Sequence, residues 1–379
     1  MHPARVRFMV RAMAGPDFVA RSSWHRLAAL GLTLLIGAAG GAGFALFSLP
    51  LAWLLGALGA TTLASFARLP LHLPAPLRHT MIAVVGVMLG SAFTPERLAD
   101  AGRWLPSLAA LPVYVLVVGV VIFAYIRRFS DFDLKTTFFA AAPGGLGEMI
   151  ALGDQMGADV RKVSLVHATR LTFIVFTIPW LAAGFGTGAA TPPDAVAATP
   201  APLEILILAV AAVLGFLIAA RLRLPAAPFL GPLLGSMLVH LTGWVHGAPP
   251  YVLLAIAQVV IGAAVGARFA GIPLALVGRA MLLGAGATLI MLVITAAFAM
   301  VLTPLTGYGF PLLLLAFIPG GFTEMSLIAL AMGVDPAFVV THHSLRVFLV
   351  VSIALPAYVW LDRSGRLTSP ADDATEPAD

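Results

Sequence analysis

The chain has 379 residues, 60% of them apolar and only 10% charged, with a mean hydropathy of +1.00. Soluble domains run at about 45–50% apolar and about 25% charged, so a water-soluble enzyme is excluded and an integral membrane protein is expected. The absence of cysteine excludes disulfides, thiolate metal sites and cysteine nucleophiles, and a net charge of +5 spread over scattered Arg fits cytoplasmic-loop bias better than a nucleic-acid-binding face.

Residues 1–26 carry Arg5, Arg7, Arg11, Arg21 and Arg26 against Asp17. Without an apolar core ending in a small-residue cleavage site, this stretch reads as a basic cytoplasmic arm and not as a secretory signal. Apolar segments follow at Leu27–Phe47, Leu51–Phe66, Leu77–Phe93, Pro106–Ile126, Thr136–Met156 and Val163–Phe185. A Pro-rich linker, residues 186–202, separates them from Leu203–Ala220, Ala226–Leu241, Tyr251–Ala267, Ala280–Leu302, Pro311–Met332 and Ala337–Leu361. Residues 362–379 form an acidic tail with a disordered composition.

Two sets of six imply a duplication, repeat one over 27–185 and repeat two over 203–361. Pro143-Gly144-Gly145-Leu146-Gly147-Glu148-Met149 recurs as Pro319-Gly320-Gly321-Phe322-Thr323-Glu324-Met325, and His167 and Arg170 match His343 and Arg346 at the same offset. From Pro143 to Arg170, 11 of 28 positions are identical without a gap. Leu49-Pro50 with Leu55-Gly56 is echoed by Leu224-Pro225 with Leu230-Gly231, and Gly86, Gly90 and Phe93 by Gly262, Gly266 and Phe269.

Twelve continuous spans from a cytoplasmic N-terminus would put Arg161, Lys162, Arg221, Arg223, Arg268 and Arg279 outside, against the positive-inside bias. If each Pro-Gly-Gly segment dips in and returns on the same side, those residues all become cytoplasmic, together with Arg127, Arg128 and Lys135. Arg97 and Arg103 alone stay outside, balanced by Glu96 and Asp100. Leu146 to Met156 would reach about 16 Å, roughly half of a bilayer core. The expected fold is therefore an all-α polytopic membrane protein of two inverted repeats, each with about five spans and one re-entrant broken helix, both termini cytoplasmic.

Inverted repeats with broken helices near the midplane are a recurring transporter layout. Proline ends the incoming half-helix, the glycines permit a tight or left-handed turn, and the returning half-helix offers free N–H groups and a positive dipole end. Glu148 and Glu324 fall in that first turn, at a depth where a carboxylate costs about 2.5–3.5 kcal/mol. His167/Arg170 and His343/Arg346 are each three apart and share a helix face. The candidate solute or ion site is Gly144, Gly145, Glu148, His167 and Arg170 with Gly320, Gly321, Glu324, His343 and Arg346, a Glu or His carrying H+ where the coupling ion is H+ and Na+ being the alternative. A Glu–Arg ion pair locking hairpin to helix is the structural alternative. His342 breaks the symmetry and reads as peripheral, while Asp159 and Asp335 read as helix N-caps. No cofactor, metal or nucleic-acid partner is expected. Lipid is the surrounding partner, two Arg and two helix N-termini favour a small anion while two Glu oppose it, and homo-oligomerisation stays open.

The duplicated Pro-Gly-Gly-x-x-Glu-Met and His-x-x-Arg pattern, with the Leu-Pro…Leu-Gly and Gly-x-x-x-Gly segments, resembles the membrane AbrB-duplication family over Leu27 to Leu361. That resemblance implies the family's usual labels, a regulator of gene expression or an ammonia monooxygenase. Direct DNA binding is not expected, because no soluble stretch exceeds about 26 residues, too few for a self-sustaining core. A di-iron oxidase wants four carboxylates and two Glu-x-x-His pairs, which the apolar segments lack. The expectation is a secondary-transporter-like protein of a bacterial plasma membrane and not an enzyme, with a sensor acting indirectly on gene expression as the alternative.

Overall fold

In lipid, backbone N–H and C=O groups have no water to turn to, so long apolar runs fold as helices that satisfy themselves. The computed structural model describes residues 23–49, 51–184, 200–247, 249–272 and 274–363, and all regular structure among them is helical. Nearly all of the expected arm (1–26), linker (186–202) and tail (362–379) lie outside the described residues.

The first half runs α1 (Ser23–Leu46), α2 (Ala52–Phe66), α3 (Ala75–Gly90), the short α4 (Pro95–Ala99) with a 3-10 turn to Trp104, α5 (Leu105–Phe129), α6 (Leu134–Ala141), α7 (Leu146–Gln155) and α8 (Val160–Gly184). The second runs α9 (Pro202–Arg221), α10 (Ala227–Leu241), α11 (Tyr251–Gly266), α12 (Leu274–Thr306), α13 (Phe310–Phe317), α14 (Phe322–Ala331) and α15 (Pro336–Arg363). Matching elements have matching lengths: 15 residues for α2 and α10, 16 for α3 and α11, 8 for α6 and α13, 10 for α7 and α14.

Among the described residues seven helices are long and apolar enough to cross a bilayer, making this a multi-pass membrane protein. Three of the ten expected spans, α2, α3 and α10, are shorter, at about 22–24 Å. The apolar segments Thr136–Met156 and Pro311–Met332 are each broken into two short helices at the Pro-Gly-Gly sequence.

The halves pack on each other reciprocally. A methyl at Gly86 in α3 would meet the Phe229 carbonyl of α10 at 2.6 Å, and one at Gly262 in α11 would meet the Leu54 carbonyl of α2 at 2.5 Å. These are matching residues with the roles of the halves exchanged. Helices that close need a missing Cβ, and the Gly40–Gly56 and Gly215–Gly231 crossings use the same device within each half. Because Phe229 lies beside Gly86, α10 begins about 16 Å along α3.

The central helices α5 and α12 run antiparallel. Tyr114 Oη and Thr295 Oγ1 are 2.8 Å apart, and Gly286 faces the Tyr125 hydroxyl, so residue numbers rise along one helix as they fall along the other. The α6–α7 hairpin returns to its starting level, because the Asp159 N–H donates to Thr136 Oγ1 at 2.9 Å. At its base Arg128, Arg161, Lys162 and Arg279 line one cavity of about 920 Å³. Arg128, before the first hairpin, and Arg161, after it, therefore lie at the same end of the helix group. The α13–α14 hairpin has its base at the other end of α5, where Tyr308 packs on Phe338 at 4.8 Å and Phe338 on Trp104 at 5.9 Å.

Candidate functional site

Each hairpin tip is an interrupted helix. The residue before the returning helix, Gly145 or Gly321, is extended, with φ −69° and −71°. Of the left-handed or tight turn expected here, the left-handed form is absent, and a Cβ at any of the four tip glycines would displace a neighbouring side chain. A methyl on Gly145 or Gly321 would collide with the carboxylate of Glu148 or Glu324, which folds back over its own helix N-terminus. A methyl on Gly144 would meet Met149 at 2.9 Å and Val350 at 3.0 Å, and one on Gly320 would meet the Met325 sulfur at 2.5 Å.

A helix that stops inside a membrane leaves carbonyl oxygens unpaired. The His-x-x-Arg pairs supply what is missing. Arg170 donates to the carbonyls of Ala142 at 3.2 Å and Gly144 at 3.0 Å, and the His167 ring meets Phe139 O at 2.9 Å. In the second half Arg346 donates to Ile318 O at 2.5 Å, Phe317 O at 3.4 Å and Gly320 O at 2.9 Å, and His343 Nε2 faces Leu315 O at 3.0 Å. The two arginines are only 5% and 1% exposed. Each places a cation at the negative end of a half-helix dipole. Arg346 also donates to His343 Nδ1 at 2.9 Å, which selects the Nε2–H tautomer, with that N–H donating to Leu315 O. His167 Nδ1 has no such partner among the described residues.

The glutamates sit at the opposite, positive dipole ends. Among the described residues neither forms an ion pair with Arg170 or Arg346, so the Glu–Arg lock is not how hairpin and helix are joined. Glu148 Oε1 instead accepts the N–H of Ala226 at 3.1 Å, the residue that opens α10 in the other half. Its carboxylate thus lies between two helix N-termini. Phe229, one turn further along α10, packs its ring 5.5 Å from Phe322 at the second tip, so the first turn of α10 touches both hairpins.

Ala226 has φ +49°, as does its counterpart Leu51, and both are conformations that L-residues adopt at a cost of about 1–2 kcal/mol. These strained positions were not among the expected site residues. The Leu-Pro echo was the available signal, but it did not reveal which N–H would be presented. Glu324 is placed differently: the cations acting on its carboxylate are Arg268 and Arg78, at longer range than an ion pair. Both are half-buried, and their counterparts, Ala92 and Leu254, are neutral, so the repeat pattern could not have found them.

Asp159 and Asp335 are N-caps as expected: Asp159 Oδ1 accepts from the N–H of Arg161 at 3.0 Å, and Asp335 Oδ1 from Ala337 at 3.0 Å. His342 is fully buried, its ring held between Phe338 O and Ser107 Oγ at 2.8 and 2.9 Å, where it ties α15 to α5. Among the described residues no three His, Asp or Glu side chains form a metal-ligand group.

The family model described as "Transition state regulatory protein AbrB" matches residues 53–362. A Bacillus subtilis (strain 168) protein named "Uncharacterized protein YhjN" is 27% identical over 354 residues, 86% of this chain and 91% of that protein. An Escherichia coli (strain K12) protein named "Putative regulator AbrB" is 26% identical over 331 residues, 86% of this chain and 93% of that protein. The chain belongs to the AbrB family.

Proposed function

We propose that this AbrB-family membrane protein is a secondary-transporter-like carrier. It moves a small solute through a midplane site between the Pro-Gly-Gly-x-x-Glu tips, which the His-x-x-Arg helices hold in place. The observation that carries this reading is the meeting of both tips at the first turn of α10: Glu148 on the Ala226 N–H and Phe322 on Phe229. Intramembrane carboxylates mark solute or ion paths, and broken helices aimed at one point are how carriers build such a site. The guanidiniums cap the incoming half-helices, which leaves helix N-termini and the two glutamates as the binding groups. The N-termini favour an anion, and Glu148 or Glu324 carries the coupling H+ or Na+.

In this reading the halves are inverted and the hairpins re-entrant from opposite faces. The antiparallel run of the matching helices α5 and α12 supports the inversion, and the Asp159–Thr136 bond supports the return of hairpin one to its own side. The face with the basic cavity is then cytoplasmic, the membrane is the plasma membrane, and both termini are inside.

The test is flux in proteoliposomes with a trapped pH dye, offering chloride, phosphate and small mono- and dicarboxylates in turn. At least one solute should cross faster than in protein-free vesicles, and Glu148→Gln and Glu324→Gln should each abolish that flux while purifying like the parent. Wild-type flux in both variants would remove the glutamates from the mechanism. Saturable binding without flux would favour the second reading, a membrane sensor acting indirectly on gene expression, to which the family description and the relative's name point.

A further inference from the structure

We infer that the basic cavity at the base of the first hairpin binds the phosphate headgroup of an acidic phospholipid. The cavity, about 920 Å³, is bounded by the end of α5, the start of α8 and the start of α12, so both halves contribute to it. Arg128, Arg161, Lys162 and Arg279 line it against a single acid, Asp131. Two of these cations are already engaged: Lys162 Nζ is 3.8 Å from Asp159 and 5.1 Å from the Phe132 ring, and Arg128 lies 5.5 Å over Phe129. Among the described residues Arg161 and Arg279 form no ion pair, and both are exposed. A pair of free guanidiniums suits a phosphate, which they grip with paired N–H donors. The N-terminus of α8 is not the site, because Asp159 already caps it.

The apolar wall selects the source of the phosphate. Leu282, at the cavity, is 77% exposed, and the same face of α12 continues through Leu289 at 63%, Val293 at 62% and Met300 at 61%. Spacings of seven, four and seven residues keep this stripe on one side of the helix. A headgroup in the cavity therefore leaves its acyl chain against a greasy track leading into the bilayer, whereas a free phosphate would use the cations alone. The inference rests on the topology proposed above, which puts this cavity at the cytoplasmic lipid boundary, where basic pockets between helices take anionic headgroups. It does not depend on the glutamates or on flux.

Delipidation of the purified full-length protein, followed by native mass spectrometry with added phosphatidylglycerol or phosphatidylcholine, tests it. Phosphatidylglycerol should bind at least about tenfold tighter, and the double variant Arg161→Gln/Arg279→Gln should weaken it about thirtyfold, since each basic residue near an anionic surface is worth roughly a factor of five. The same charge change at the opposite end, Arg97→Gln/Arg103→Gln, should leave binding intact. Equal retention of the two lipids by the wild-type protein would overturn the proposal without recourse to any variant, as would undiminished binding in the cavity variant. Displacement of phosphatidylglycerol by millimolar inorganic phosphate would assign the cavity to a soluble phosphate compound and overturn the lipid source.

Discussion

The two hairpin tips share a sequence and a backbone but differ in what surrounds the carboxylate. At the first, Glu148 rests on helix N-termini, its own and that of α10, through the Ala226 N–H. At the second, Glu324 folds back over its own helix N-terminus with Arg268 and Arg78 at longer range, and the residues matching these two arginines, Ala92 and Leu254, are neutral. The arginine caps differ as well, since Arg346 bonds three carbonyls and His343 where Arg170 bonds two carbonyls. The Pro-Gly-Gly-x-x-Glu-Met sequence that breaks the helix is shared by both tips, and the charges beside the glutamate differ. Both carboxylates sit on a helix N-terminus, and only the second has arginines of the neighbouring helices near it.

The largest effect should come from removing the caps. Arg346→Gln should cost about 3–5 kcal/mol, because buried carbonyls are left without a charged donor, and Arg170→Gln about half as much. Thermal unfolding in detergent measures both, and equal losses would erase the asymmetry between the caps. Next comes the double-mutant cycle of Arg268→Gln with each glutamate variant. Flux or solute affinity should show a coupling above about 0.5 kcal/mol with Glu324→Gln and near additivity with Glu148→Gln. Coupling to Glu148 instead would reverse the assignment of the charged tip. Gly145→Ala and Gly321→Ala should each cost about 1–3 kcal/mol by displacing the carboxylate from its helix N-terminus, with flux lost in parallel; a tolerated methyl would show that the folded-back Glu is not needed. Smallest are Asp159→Ala and Asp335→Ala, equal at about 1 kcal/mol each, because both caps have the same geometry.

Much of this was legible in the sequence. Apolar run lengths located the helices, and Pro143 and Pro319 located their breaks. The positive-inside count favours a dipping hairpin over a continuous span. The spacing of His167 and Arg170 placed both on one helix face, but periodicity says nothing of what that face meets, and the acceptors are backbone carbonyls that no side-chain pattern encodes. The tip glycines were expected to allow a left-handed or tight turn; their φ is negative, and the space a Cβ would take at Gly145 and Gly321 is held by the glutamate three residues on. The Glu148–Ala226 bond joins residues 78 apart across the two halves, a distance that only the packing of α10 on α3 closes.

The proposed midplane site requires the two hairpins to enter from opposite faces, and single-cysteine labelling tests that directly because the chain has no cysteine. Gln155→Cys and Gly309→Cys place thiols at exposed positions at the bases of the first and second hairpins. With a membrane-impermeant maleimide on intact cells, Gly309→Cys should label and Gln155→Cys should label only after permeabilisation. If both label from outside, or both only after permeabilisation, the halves are not inverted across the membrane and the midplane site between their tips does not exist.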